Sequence, residues 1–169
     1  IFVRYYIYAA PEGLHAPIAS YVQCVEGASD CKQTINNDDL DVYISDDFND
    51  QVTTWSNTGT GVTNNGDTYL GGFGKTDDDI DTQKQYSLPA GTDEVTITFD
   101  FLRIDSWDGE HFWVWVDDTK IVLGPFNHRP DNPVLSGKTG NISWRLSAGS
   151  PIPGGAGQGW SDEIHQVTI

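Results

Sequence analysis

The chain contains no methionine, only two cysteines, and just nine lysines and arginines against 25 aspartates and glutamates. Each scarcity excludes something. A structural zinc site needs four nitrogen or sulfur ligands, and His15 is the only histidine near Cys24 and Cys31. That pair encloses a loop of eight residues, and closing such a loop contributes roughly 2.5 kcal/mol by loop entropy. One close pair in an acidic, Asp-rich, Met-free chain points to a Cys24–Cys31 disulfide and an extracellular setting. The shortage of bases leaves a net charge of −16, which argues against nucleic acid and anionic membrane surfaces as partners. No run of 18 apolar residues exists, so no membrane insertion through a spanning helix is expected. Ile1 rather than methionine stands first, as expected of a mature product, a trimmed chain or a fragment.

Helical periodicity is also nearly absent, and alternation takes its place. Val95, Ile97, Phe99 and Phe101 alternate with Thr96, Thr98, Asp100 and Leu102; Phe112, Val114 and Val116 alternate with Trp113, Trp115 and Asp117. Ile142, Trp144 and Leu146 form another such run, and Val167 and Ile169 close the chain as a last strand. Turn signals lie between them at Asn64-Asn65-Gly66-Asp67, Pro89-Ala90-Gly91-Thr92, Asp108-Gly109, Asp117-Asp118 and Gly154-Gly155. Short alternating strands between Gly, Asp and Pro turns predict an all-β, antiparallel β-sandwich of jelly-roll type. A boundary is placed near Ser45. Residues 45–169 form the sandwich, and residues 1–44 form an extension with an N-terminal extended strand and the disulfide loop.

The charge is uneven. Residues 46–110 carry 14 acids and three bases, whereas residues 111–169 carry five and four. That crowding is either a solvated face or is relieved by a cation. The acids fall in short groups: Asp46-Asp47-Phe48-Asn49-Asp50, Asp105-Ser106-Trp107-Asp108-Gly109-Glu110, and Ser161-Asp162-Glu163. Calcium takes six to eight oxygens, brought together from separate loops. A turn with three carboxylates in six residues suits it, and the lack of His or Cys there disfavours zinc or copper. The looser group Asp77-x-Asp79-x-Asp81 fails as an EF-hand, because Thr82 stands where glycine is needed and Leu88 where glutamate is needed.

Asp47-Phe48, Trp55-Ser56, Tyr69-Leu70-Gly71-Gly72-Phe73-Gly74, the segment Phe99 to Glu110 with Ile104-Asp105-Ser106-Trp107-Asp108-Gly109-Glu110, Phe112-x-Val114-x-Val116 and Trp160-Ser161-Asp162-Glu163-Ile164 occur in this order. Over residues 45–169 this resembles the calcium-dependent, lectin-like jelly-roll modules of RTX-type bacterial adhesins and of other microbial cell-surface proteins. The resemblance implies structural calcium, a glycan or peptide ligand, and Asp47, Asp105, Asp108, Glu110 and Asp162 as metal ligands.

Two further surfaces are expected to bind. If Phe112, Val114 and Val116 face the core, Trp113 and Trp115 share the outer face about 7 Å apart. They then either stack on sugar rings or lie covered by another part of the chain. Trp107 and Trp160 are placed to flank a ligand that bridges the calcium. The strand Ile1-Phe2-Val3-Arg4-Tyr5-Tyr6-Ile7-Tyr8 offers self-assembly instead. Donated to a neighbouring subunit, residues 1–10 fill its groove through Ile1, Val3, Tyr5 and Ile7 and build a filament; alternatively the strand pairs within its own domain. Asn141-Ile142-Ser143 is a glycosylation acceptor in a glycosylating source and otherwise a chance match. Catalysis is not expected. His15, His111, His128 and His165 are isolated, and the Glu-x-Asp-x-x-Glu strand of jelly-roll glycosidases is missing. A polysaccharide-active enzyme using Asp105 and Glu110 is the third reading.

Overall fold

A computed structural model describes residues 2–8, 48, 54–71, 81–88, 92–104, 107–127, 134–156 and 162–169. Among these residues there is no helix, and the strands pair antiparallel throughout. In chain order the strands are β1 (Phe2–Tyr8), β2 (Thr60–Val62), β3 (Thr68–Leu70), β4 (Asp81–Gln85), β5 (Thr98–Arg103), β6 (Asp108–Val116), β7 (Thr119–Asn127), β8 (Leu135–Thr139), β9 (Ile142–Leu146), β10 (Ser150–Pro151) and β11 (Glu163–Thr168).

One sheet has the order β4-β1-β6-β7. The second is built around β11, with β5 on one side and β9 and β10 on the other, and β8 beyond β9. β9 and β10 are one strand interrupted at residues 147–149, since both pair with β11. A small hairpin of β2 and β3 stands apart.

Alternation decides which side chains go inside. In β6, Phe112, Val114 and Val116 are buried while His111, Trp113 and Trp115 are half-buried. In β5, Phe99 and Phe101 are fully buried on one face. These residues join Ile121, Leu123 and Phe126 of β7, Leu146 of β9 and Val167 of β11 in one core to which both large sheets contribute. Phe101 stacks on Phe112 at 4.3 Å between centroids and 5° between planes. Each fully buried aromatic or branched side chain contributes about 1.5–3 kcal/mol. The other face of β5 carries Thr98 and Asp100 and then buries Leu102. Leu102 and the following Ile104 pack with Tyr69 and Ile152 in a second cluster under the small hairpin. The loop 152–156 closes that cluster, with Asn64 N donating to Gly155 O at 3.0 Å and Asn64 Nδ2 to Gly154 O at 2.6 Å.

The pairing of β6 with β7 slips twice, between Asp108 and Glu110 and between Glu110 and Phe112. Opposite the slip stands Gly124 at φ 109°. A Cβ there would meet the Phe126 ring at 2.9 Å and the Glu110 carbonyl at 3.0 Å, so the bulge depends on glycine.

Candidate functional site

Inward-facing positions of β5 and β11 are apolar at one end and polar at the other. Phe99 pairs with Val167 and Phe101 with His165, but the last pair is Arg103 with Glu163. Both of those side chains are buried, and Arg103 Nη2 lies 2.6 Å from Glu163 Oε2. Arg103 Nη1 donates to the carbonyl of Asn127, where β7 ends, and so ties the two sheets together. His165 lies against the Phe101 and Phe126 rings at 6.0 and 5.7 Å. Its Nδ1 is 3.1 Å from Ser147 O. A carbonyl only accepts, so Nδ1 carries the proton and Nε2 is left bare. Nε2 has no hydrogen-bond partner and sits 3.6 Å from the Glu163 carboxylate that Arg103 occupies. Burial pushes the His165 pKa down, and its Ser147 and Glu163 contacts only partly offset that. Sequence analysis did not single out this cluster. Its signal was present, however, as charged residues at the apolar parity of two strands.

The same end of the fold carries Asp108, Glu110 and Asp162, the described acids of two of the acidic segments apart from Glu163 itself. β5 leaves the sheet after Arg103, β6 begins at Asp108, and Asp162 precedes Glu163, the partner of Arg103. Asp108 is exposed, whereas Glu110 and Asp162 are each 8% exposed. The Glu110 carboxylate accepts from the backbone N–H of Asp108, bracing its own turn. Asp162 Oδ2 accepts from Ala156 N at 2.7 Å, and its carbonyl accepts from Ile152 N at 3.0 Å. Tyr69 stands nearby, its phenol pushed up first by burial and then by the Asp162 charge. Among the described residues no three His, Cys, Asp or Glu side chains gather as a metal-holding group. Asp47 and Asp105 of the expected ligand set lie outside the described residues.

Trp107 is 1% exposed. Its ring meets Phe101 and Phe126 edge-on at 5.5 Å each, and Nε1 donates to Ile104 O at 3.2 Å. The ring is therefore a core ring and not an exposed flank. Trp160 lies outside the described residues, as do Cys24, Cys31 and Ile1. Asn141 is exposed in the turn between β8 and β9.

Trp113 and Trp115 share the outer face of β6, the inner face being taken by Phe112, Val114 and Val116. Both are half-buried. Lys120 of β7, opposite Trp115 in register, places its ammonium 3.0 Å from the centre of the Trp113 ring and 5.8 Å from that of Trp115. On the same face Val122, opposite Trp113, is 45% exposed. The result is a strip of two indoles and one cation on one face of the sheet. On the other side of β6, β1 runs with Val3, Tyr5 and Ile7 at the register positions of Val116, Val114 and Phe112. Comparison of the chain with protein-family models, with characterised proteins and with solved structures gives no match to any of them.

Proposed function

We propose that this chain is a non-catalytic, extracellular binding module, a calcium-stabilised β-sandwich of jelly-roll type that holds a glycan or a peptide at a surface. The observation that carries the reading is the strip of Trp113, Trp115 and Lys120. Indoles held two apart on a strand match the spacing of rings along a saccharide, and their faces bind C–H-rich sugar surfaces. The ammonium over Trp113 adds a partner for a carboxylate or sulfate, on ligand or peptide alike. The calcium part of the reading rests on topology. The ends of β5, β6 and β11 that flank two of the acidic segments are neighbours in the fold, since Arg103 meets both Glu163 and the carbonyl of Asn127, the register partner of Asp108.

Titration of the chain with a panel of neutral, uronate-bearing and sulfated oligosaccharides and of acidic peptides, followed by tryptophan fluorescence, tests the binding role. The expected result is saturable binding that is weakened in Trp113→Ala and Trp115→Ala; a flat response across the panel from folded protein would remove the role. A melt with calcium and with chelator tests the metal separately. Occupancy at a hundredfold excess over Kd adds about 2.7 kcal/mol.

A second reading, a filament subunit joined by donated N-terminal strands, is supported by the place of β1. It runs between β4 and β6 rather than along an edge, so a strand supplied by a neighbouring subunit would complete the same sheet. Solution mass with and without residues 1–10 separates the two readings. A monomer in both forms would remove the filament.

A further inference from the structure

Asn141-Ile142-Ser143 is the one Asn-x-Ser/Thr triplet in the chain with no proline at x, and the fold presents it. Thr139 pairs with Ile142 and Lys138 with Ser143, so Gly140 and Asn141 are the two-residue tip of the β8–β9 hairpin. Asn141 is exposed at that tip, and Ser143 is exposed on the strand that follows. Their neighbours Ile142, Trp144 and Leu146 are the residues turned to the core. A substituent on the Asn141 carboxamide therefore projects from a turn and displaces nothing packed.

The register also fixes which end of the sheet carries this tip. Leu146 pairs with Val167 and Arg145 with Thr168, so the chain leading back to Asn141 runs past the C-terminal end of β11. Asp162 precedes the other end of that strand. The acceptor and Asp162 thus stand at opposite ends of the second sheet, and the Trp113–Trp115 face belongs to the first sheet.

From this arrangement we infer that Asn141 is an N-glycan acceptor, taking an oligosaccharide from a lipid-linked diphosphate donor. The Asn141 Nδ2 forms the new bond to the anomeric carbon, the lipid diphosphate departs as leaving group, and the amide proton passes to a base of the transferase. The Ser143 hydroxyl is the element the transferase requires two residues on. The glycan would cover one end of the sheet and leave the ligand strip and the acidic end open. This inference rests on the extracellular reading only through the route the chain takes.

Secretion of the whole chain from a eukaryotic cell behind an added leader tests the site itself, whatever the native route. Intact mass should show one glycan per chain, removed by an amidase that cleaves N-linked sugars. Asn141→Gln and Ser143→Ala should lack it, and Ser143→Thr should keep it. Wild-type chain secreted in folded form without a glycan would overturn the inference, as would a glycan that persists in Asn141→Gln. Far-ultraviolet circular dichroism of each secreted variant shows that loss of the glycan is not loss of the fold. Failure here leaves the binding role untouched, because the saccharide and peptide titration uses unglycosylated protein.

Discussion

Arg103 and Glu163 pair across neighbouring strands with their charged ends 2.6 Å apart and both side chains buried. The pair lies where an otherwise apolar layer meets the end of the fold, and Arg103 also reaches the carbonyl that ends β7. Two charges out of water gain little net stability over an apolar pair of similar volume, but either one left alone is costly.

Glu163→Leu is therefore expected to destabilise the fold by about 3–5 kcal/mol, because it strands the guanidinium in the core. Arg103→Met with Glu163→Leu should recover much of that loss. Urea unfolding of the two single variants and the double variant measures the coupling. Equal, additive losses in the two singles would show that the pair does not act as a unit.

His165 sets a pH dependence with a definite sign. Burial lowers its pKa below the ordinary value of 6.5, so the unfolded chain takes up the proton more readily than the folded one. This contribution is fully present above about pH 6.5, declines as pH falls towards the folded pKa, and levels off below it. The slope in that window approaches about 1.4 kcal/mol per pH unit for one proton. Asp100 works in the opposite sense at lower pH, since burial raises its pKa above 3.8 and its contribution is kept below that value and lost as pH rises through the folded one. Stability against pH for wild type and His165→Phe should diverge below neutrality. Superimposed curves from pH 7 to 5 would show that the ring does not titrate with unfolding.

Gly149 leaves the space that the buried histidine and glutamate occupy. A Cβ at that position would come within 2.7 Å of His165 Cε1 and 2.9 Å of Glu163 Oε2. Gly149→Ala is expected to cost about 1–3 kcal/mol through overpacking of these side chains. A thermal melt reads it, and an unchanged midpoint would mean that the strand break at residues 147–149 relaxes to take the methyl group.

Lys120→Ala bears on the outer strip. The ammonium over Trp113 is half-buried, so its removal should change stability by no more than about 1 kcal/mol. Its effect on binding should depend on the ligand: about a tenfold weakening, near 1.4 kcal/mol, for an acidic saccharide or peptide and little change for a neutral one. Equal effects on both ligand classes would show that the cation props the rings and takes no part in recognition.

Particular residues show what was legible. The alternation in Phe99 to Phe101 and in Phe112 to Val116 predicted both strands, but which face of Phe112 to Val116 is buried was left open, and Asp117-Asp118 marked the hairpin turn between β6 and β7. Leu102 was not recognised as core, because its cover comes from Tyr69 and Ile152, far away in the chain. β4, with the sequence DTQKQ, has no strand signal of its own and is a strand only through pairing with β1. Trp107 sits among acids in sequence, which suggested exposure, yet its ring enters the core between Phe101 and Phe126.

The amino-acid order alone determined the all-β class, several of the strands and turns, and the concentration of negative charge in the middle of the chain. Those properties are local, written in residues two or a few apart. Tertiary structure decided that Arg103 meets Glu163, that His165 loses its water, that Lys120 lies on Trp113, and that β1 takes a place between β4 and β6. Each of those depends on which strands become neighbours, and that choice is made by the burial of a common core over long separations in sequence.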